Sequence, residues 1–162
     1  LVEVANKVLT RHSDWSWDIW GDGEDYEKIR QSIKDFGLEN RLFLKGTTND
    51  MYSLYKNYAV YIMTSRLEGL PMVLLEAKAN CIPVVSFDCP TGPSELINNG
   101  VDGYIIKDFD TEKMAEKICE LIEDDEKRAN FSSHTKDNLH KYQKDTIVNQ
   151  WVSLVEELTK DR

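Results

Sequence analysis

The chain has 162 residues, 41% apolar, 30% charged and 10% aromatic, and its 29 acids against 20 bases give a formal charge of -9. That length fits one domain able to bury roughly 70% of the surface its unfolded form exposes. The composition excludes collagen-like and disordered classes. No apolar run approaches the roughly 20 residues of a membrane span, and such acidity argues against nucleic acid, whose binders neutralise phosphates.

Leu1, Val2, Ala5, Val8 and Leu9 recur at helical spacing, so the chain is expected to open inside a helix and to carry no secretory leader. A chain that opens in this way is expected to be a piece of something longer. Trp15 to Trp20 alternates apolar and polar like a strand, and Gly21-Asp22-Gly23 closes it. Glu24 to Phe36 returns to helical spacing and stops at Gly37. A short strand over Arg41 to Lys45 leads to Gly46 and Thr47, and Asn49 or Asp50 caps a short helix through Asn57. Tyr58 to Met63 is a nearly unbroken apolar run, as expected of a strand covered on both faces. A helix from Pro71 to Ala79, a strand from Pro83 to Phe87, a short helix from Gly92 to Asn98 and a short strand from Gly103 to Ile106 follow. Helices are expected over Thr111 to Glu123, Glu126 to Tyr142 and Thr146 to Lys160. Strands alternating with helices predict an α/β fold: a doubly wound parallel sheet with helices on both faces.

Cys81, Cys89 and Cys119 leave at least one thiol unpaired, and no C-x-x-C spacing exists. His12, His134 and His140 stand apart from them. The expectation is three reduced thiols in a cytosolic compartment, with neither a zinc site nor a Cys–His nucleophile.

Ligands of open parallel sheets sit beyond the carboxyl ends of the strands, which directs attention to the loops after each strand. Thr64 to Ala77 runs from a strand into a helix. Pro71 suits the first helical position, Gly69 allows close approach of a ligand, and the free amides of Met72 and Val73 suit an anion such as phosphate. Glu68 precedes the helix, and Glu76 lies ~9 Å further along it. An acceptor-only carboxylate suits paired hydroxyls such as those of a ribose. This spacing fits a nucleoside diphosphate bearing a sugar, although both glutamates also read as solvated surface acids. Asp88 to Glu95 makes a second strand-to-helix turn through Gly92-Pro93, whose amides either face the ligand or simply connect two elements. Gly21-Asp22-Gly23 begins like a dinucleotide fingerprint, but acidic Glu24 and Asp25 follow, so a plain turn is the better reading. Trp15, Trp17 and Trp20 read as core and sheet packing.

Glu68 to Glu76, two glutamates separated by seven residues, resembles the signature of retaining glycosyltransferases with the GT-B fold, specifically family four. The resemblance extends in order through Asp18 to Gly23, Leu42 to Gly46, Thr64-Ser65, Pro83 to Ser86, Gly92 to Ile97 and Gly100 to Tyr104. It implies that residues 1–162 form a single Rossmann-like domain of three αβα layers with C-terminal helices, lacking the family's first strand and N-terminal acceptor domain. It implies that Glu68 is the catalytic-site carboxylate, contacting the donor sugar, and that Glu76 holds the ribose. The diphosphate falls to the amides after Gly69, at Leu70, Met72 and Val73, and the base to the region of Gly46 and Thr47.

The nucleotide-sugar, a UDP-sugar by expectation, is then a substrate, with no cofactor and no metal. The acceptor, a glycan or lipid-linked glycan, belongs to the absent domain, and this piece alone is expected to be inactive. Such enzymes make polysaccharide or glycoconjugates in the cytoplasm, many at the inner face of the membrane, which leaves peripheral association of the intact protein open. Three departures stand out. The family's Arg-plus-Lys pair before the first helix is missing. Cys81 replaces a usual Gly and is expected to carry strain of order 1 kcal/mol if left-handed. Lys78 replaces an apolar residue, which predicts a more exposed helix face. Two other readings stay open: a non-catalytic interaction module, and half of a sugar-nucleotide epimerase.

Overall fold

The computed structural model describes residues 1–160. In chain order its elements are α1 (Val2–Arg11), β1 (Trp17–Trp20), α2 (Tyr26–Asp35), β2 (Leu42–Gly46), α3 (Met51–Leu54), β3 (Tyr61–Met63), α4 (Met72–Ala79), β4 (Val84–Phe87), α5 (Pro93–Leu96), β5 (Gly103–Ile106), α6 (Thr111–Glu123), α7 (Asp125–His134) and α8 (Lys144–Lys160). Every strand pairing is parallel. No helix among the described residues is long and apolar enough to cross a membrane.

Strand alternation builds the layers. Val85 and Phe87 on β4 and Tyr104 and Ile106 on β5 face a core shared with Val4 and Val8 of α1, with α6, and with Phe131 of α7. Their neighbours Val84 and Ile105 point the other way, toward Leu74, Leu75 and Ala77 of α4 and Leu96 of α5. This is the three-layer αβα sandwich expected from the sequence. A third cluster joins Val2, Ala5 and Leu9 of α1 to Ile33 of α2 and Leu42 of β2.

The single expected sheet is divided into a pair, β1-β2, and a trio, β3-β4-β5. β4 at the centre of the trio is buried throughout, as a doubly covered strand should be. β3, expected to be such a strand from Tyr58 onward, spans only Tyr61–Met63, and Tyr61 and Ile62 stay partly exposed. Tyr58 is used otherwise: its hydroxyl accepts from Trp20 Nε1 (2.7 Å) and donates to Asp18 Oδ2 (2.9 Å), so it bridges to β1 across the space between the two sheets. Trp17 packs against both the first and third clusters, in keeping with the structural role read from the sequence.

The C-terminal helices differ from expectation in one place. α7 stops at His134 rather than running to Tyr142, and a 3-10 turn covers Leu139–Tyr142. Buried Thr135 turns its hydroxyl back to the Ser132 carbonyl (2.9 Å), and Asp137 and Asn138 compete with the helix through their short polar side chains. α8 buries none of its residues, and Trp151 and Leu158 are 65% and 67% exposed.

Two departures noted in the sequence find their explanation here. Lys78 is not on an exposed face: it is 1% exposed, and its ammonium lies 2.9 Å from Asp102 Oδ2 and donates to the Leu96 carbonyl. Asp102, fully buried, also accepts the Asn98 amide (2.9 Å). Burial pushes the Asp102 carboxyl up despite the pull of Lys78. The pair ties α4 to the segment joining α5 and β5. Cys81 does adopt the left-handed conformation expected of it, φ 60. The Ile82 amide donates to the Ala77 carbonyl and the Cys81 amide to the Lys78 carbonyl, the double bond of a Schellman turn.

Cys81→Gly should therefore raise unfolding stability by about 1 kcal/mol, read from urea denaturation; an unchanged midpoint would show that the turn stores no strain. Lys78→Met alone should cost about 3–5 kcal/mol, because it strands a buried carboxylate. Lys78→Met with Asp102→Asn, which keeps the acceptor for Asn98, should cost less than the single change. If the double variant is no more stable than the single, the pair is not coupled.

Candidate nucleotide-sugar site

Because β3, β4 and β5 are parallel, their carboxyl ends share one edge, and the loops to α4 and α5 lie side by side there. In the first loop Pro71 is not the first helical residue, as the sequence suggested, but the N-cap, with φ -72 and ψ 94. Its carbonyl already accepts the Leu74 amide at 3.0 Å, so the turn starts one residue later. The consequence is unchanged: Met72 and Val73 are the first helical residues and have no intrahelical acceptor for their amides. Both are exposed, as are Gly69 and Leu70, so this face is open to a ligand. The positive end of α4 adds a field suited to an anion.

The second loop holds the first in place. Thr91 and Gly92 both adopt positive φ, 62 and 95. The Thr91 hydroxyl donates to the Glu68 carbonyl. A Cβ on Gly92 would lie 2.3 Å from Pro71 Cδ and 2.9 Å from the Gly69 oxygen. Gly92 thus serves the approach of one loop to the other, and Pro93 follows as the first residue of α5.

The two carboxylates lie in one neighbourhood. Glu76, partly exposed, accepts from the Tyr55 hydroxyl at 3.0 Å. Tyr61 is pushed up to about 12 by burial and then by the charges of Glu76 and Glu68, so it feels both. Burial, followed by Glu68, also raises the Cys89 thiol. Arg66 is exposed in the same loop. Neither Tyr55 nor Tyr61 was singled out from sequence, and only the strand register of Tyr61 hinted that it shares a face with Met63.

Gly46 and Thr47 end the other sheet. Gly46, at φ 70, accepts the Gly21 amide at 2.7 Å, so the turns after β1 and β2 are joined. Among the described residues no hydrogen bond links Gly46 or Thr47 to the loops around Glu68. Nearby, Lys45 lies 3.8 Å from Asp18 and 5.9 Å over the Trp20 ring. No group of three or more His, Cys, Asp or Glu side chains that could hold a metal ion gathers among the described residues. Hollows along α8 and between β5 and α6 share no residue with the Glu68 and Glu76 loops.

Residues 1–138 match the family model described as glycosyl transferases group 1. The chain is 34% identical over 155 residues to the poly(ribitol-phosphate) alpha-N-acetylglucosaminyltransferase of Staphylococcus aureus (strain COL), covering 95% of this chain and 31% of that protein. It is 33% identical over 161 residues to the poly(glycerol-phosphate) alpha-glucosyltransferase of Bacillus subtilis (strain 168), covering 99% of this chain and 24% of that protein. The chain therefore spans a quarter to a third of these curated relatives. A crystal structure of a point mutant of S. aureus TarM, in complex with fondaparinux, alpha-GlcNAc-glycerol and UDP, superimposes with a TM-score of 0.90 at 33% identity, over 94% of this chain and 31% of that one.

The clamp between the loops yields a direct expectation. Gly92→Ala should lower stability by about 1–3 kcal/mol through overpacking and positive φ, and should weaken nucleotide binding in the intact protein more than Gly100→Ala, which also has positive φ but open space around it. Equal effects of the two substitutions on binding would show that the loop approach does not shape the site.

Proposed function

The chain belongs to the group 1 glycosyl transferases, and we propose that it is the donor-binding half of a retaining glycosyltransferase of family four, with the Glu68-to-Glu76 signature at its site. Its parallel-sheet fold is that of the C-terminal Rossmann-like half of GT-B enzymes. The observation that carries the reading is the start of α4: free amides at Met72 and Val73, with Glu68 before them and Glu76 along the same helix, at the carboxyl edge of the sheet.

In this reading the amides of Leu70, Met72 and Val73 receive the diphosphate. Departure of a nucleoside diphosphate builds negative charge, and fixed N–H dipoles stabilise it without reorganising. Glu68 contacts the hydroxyls of the transferred sugar, and Glu76 accepts from the ribose hydroxyls. Gly46 and Thr47 meet the base from the neighbouring sheet. The nucleotide-sugar is a substrate, and the site asks for no metal. UDP is the first nucleotide to test, since it is the one present in the TarM complex.

The domain is also read as incomplete. Among the described residues β1 and β3 each have an edge without a strand partner, Tyr58 spans the space between them, and α1 packs on the strands at both sides of it. A further parallel strand, supplied by polypeptide before Leu1, fits that space and would bring basic residues to the diphosphate. The acceptor, a glycan or lipid-linked glycan, would bind the part of the protein beyond this chain, in the cytoplasm and with room for contact with the membrane face. The product would be a polysaccharide or glycoconjugate, and this chain alone would transfer nothing.

Titration of UDP into the intact polypeptide tests the reading. Glu76→Ala should weaken binding about ten- to a hundredfold, the range for losing hydrogen bonds to a charged group. Unchanged affinity would remove Glu76 from the ribose site, and no binding of any nucleotide by the unmodified protein would favour the non-catalytic module.

A further inference from the structure

Tyr55 is among the largest fully buried side chains of the domain, at 2% exposure. Its hydroxyl nevertheless has to find a partner, since a buried hydroxyl left alone is costly. The partner is Glu76 Oε2, at 3.0 Å. Among the described residues no other side chain makes a hydrogen bond or an ion pair with that carboxylate, so Oε1 stays free for a ligand. A carboxylate offers about four acceptor positions on two oxygens, and occupying one oxygen fixes where the other points. Burial first, then the bond to Glu76 and its charge, push the phenol up, so it remains a donor throughout the working pH range.

The placement of Tyr55 is itself secured. It opens the 3-10 turn Tyr55–Asn57 directly after α3, and α3 is capped by Asp50, which accepts from the Ser53 amide (3.2 Å) and hydroxyl (2.6 Å). Its ring lies 6.4 Å from that of Tyr61, centroid to centroid. The connection that begins at Gly46 and Thr47 thereby ends on a rigid buried ring whose oxygen holds Glu76.

We propose that Tyr55 is a positioning residue of the donor site: it restrains Glu76 through Oε2 so that the other oxygen meets the ribose hydroxyls, and it thereby sets the preference for a ribonucleotide over its 2'-deoxy counterpart. This rests on the assignment of Glu76 to the ribose. Tyr55 touches no substrate, and its effect passes entirely through the carboxylate.

The test uses the intact polypeptide, titrated with UDP and with 2'-deoxy-UDP. The unmodified protein should prefer UDP. Glu76→Gln should abolish most of that preference, Tyr55→Phe should reduce it about three- to tenfold, and the double variant should match Glu76→Gln alone, because the two act in series. Tyr55→Phe removes one oxygen and keeps the buried ring, and a purely structural role would weaken both nucleotides equally. Equal weakening, or losses that multiply in the double variant, overturns the proposal while leaving Glu76 in place. A Glu76→Gln protein that keeps its full preference for UDP overturns the ribose assignment, and this proposal with it.

Discussion

The site depends on a close approach that only glycine permits. Gly92 sits where a Cβ would collide with Pro71 and with the Gly69 carbonyl, and it adopts a positive φ besides. Beside it Thr91, also left-handed, donates its hydroxyl to the Glu68 carbonyl. Left-handed backbone at a non-glycine residue costs free energy and persists only where the surroundings fix it. Here the benefit falls on the loop before α4, which is otherwise exposed at Gly69 and Leu70. Without the second loop against it, the first turn of α4 would have few contacts to hold its amides in register for an anion.

α4 is tied down along its whole length. The Thr91–Gly92 turn holds its start, and the Schellman turn through Cys81 closes its end. Glu76 and Lys78, two residues apart, project about 200° from one another around the helix. One reaches Tyr55 on the segment between β2 and β3, and the other reaches Asp102 on the segment between α5 and β5. A buried ion pair contributes little net stability compared with apolar packing, but it fixes which groups must meet. A helix held on opposite sides by directional contacts cannot rotate without breaking one of them. That restraint suits the role proposed for α4, in which its amides and its carboxylate are presented together.

Much of this was legible in the chain. Hydrophobic period and glycine placement gave the alternating elements, and the bounds Gly103–Ile106 and Thr111–Glu123 were read as they are found. A cap at Asn49 or Asp50 was legible from local backbone chemistry, and Asp50 fills it, whereas the left-handed Cys81 was expected from the family resemblance, which has Gly at that place. Most of what failed was long-range. Lys78 looked like a solvated residue because its partner, Asp102, is 24 positions away. The apolar run at Tyr58 suggested a longer strand, yet Tyr58 is engaged with Asp18 and Trp20 on another sheet. Pro71 moved one place, from first helical residue to cap, which periodicity does not resolve. Tyr55 and Thr91 had no sequence signal, since each matters only through a contact with a residue distant in the chain.

The central claim is that the first turn of α4 receives a diphosphate. Backbone amide chemical shifts of the intact protein, recorded on addition of UDP and separately of uridine, address it most directly. The amides of Leu70, Met72 and Val73 should shift with UDP and remain nearly still with uridine, which lacks the phosphates. If UDP leaves those three amides unmoved while shifting others, the anion binds elsewhere, and the account of this edge of the sheet is wrong.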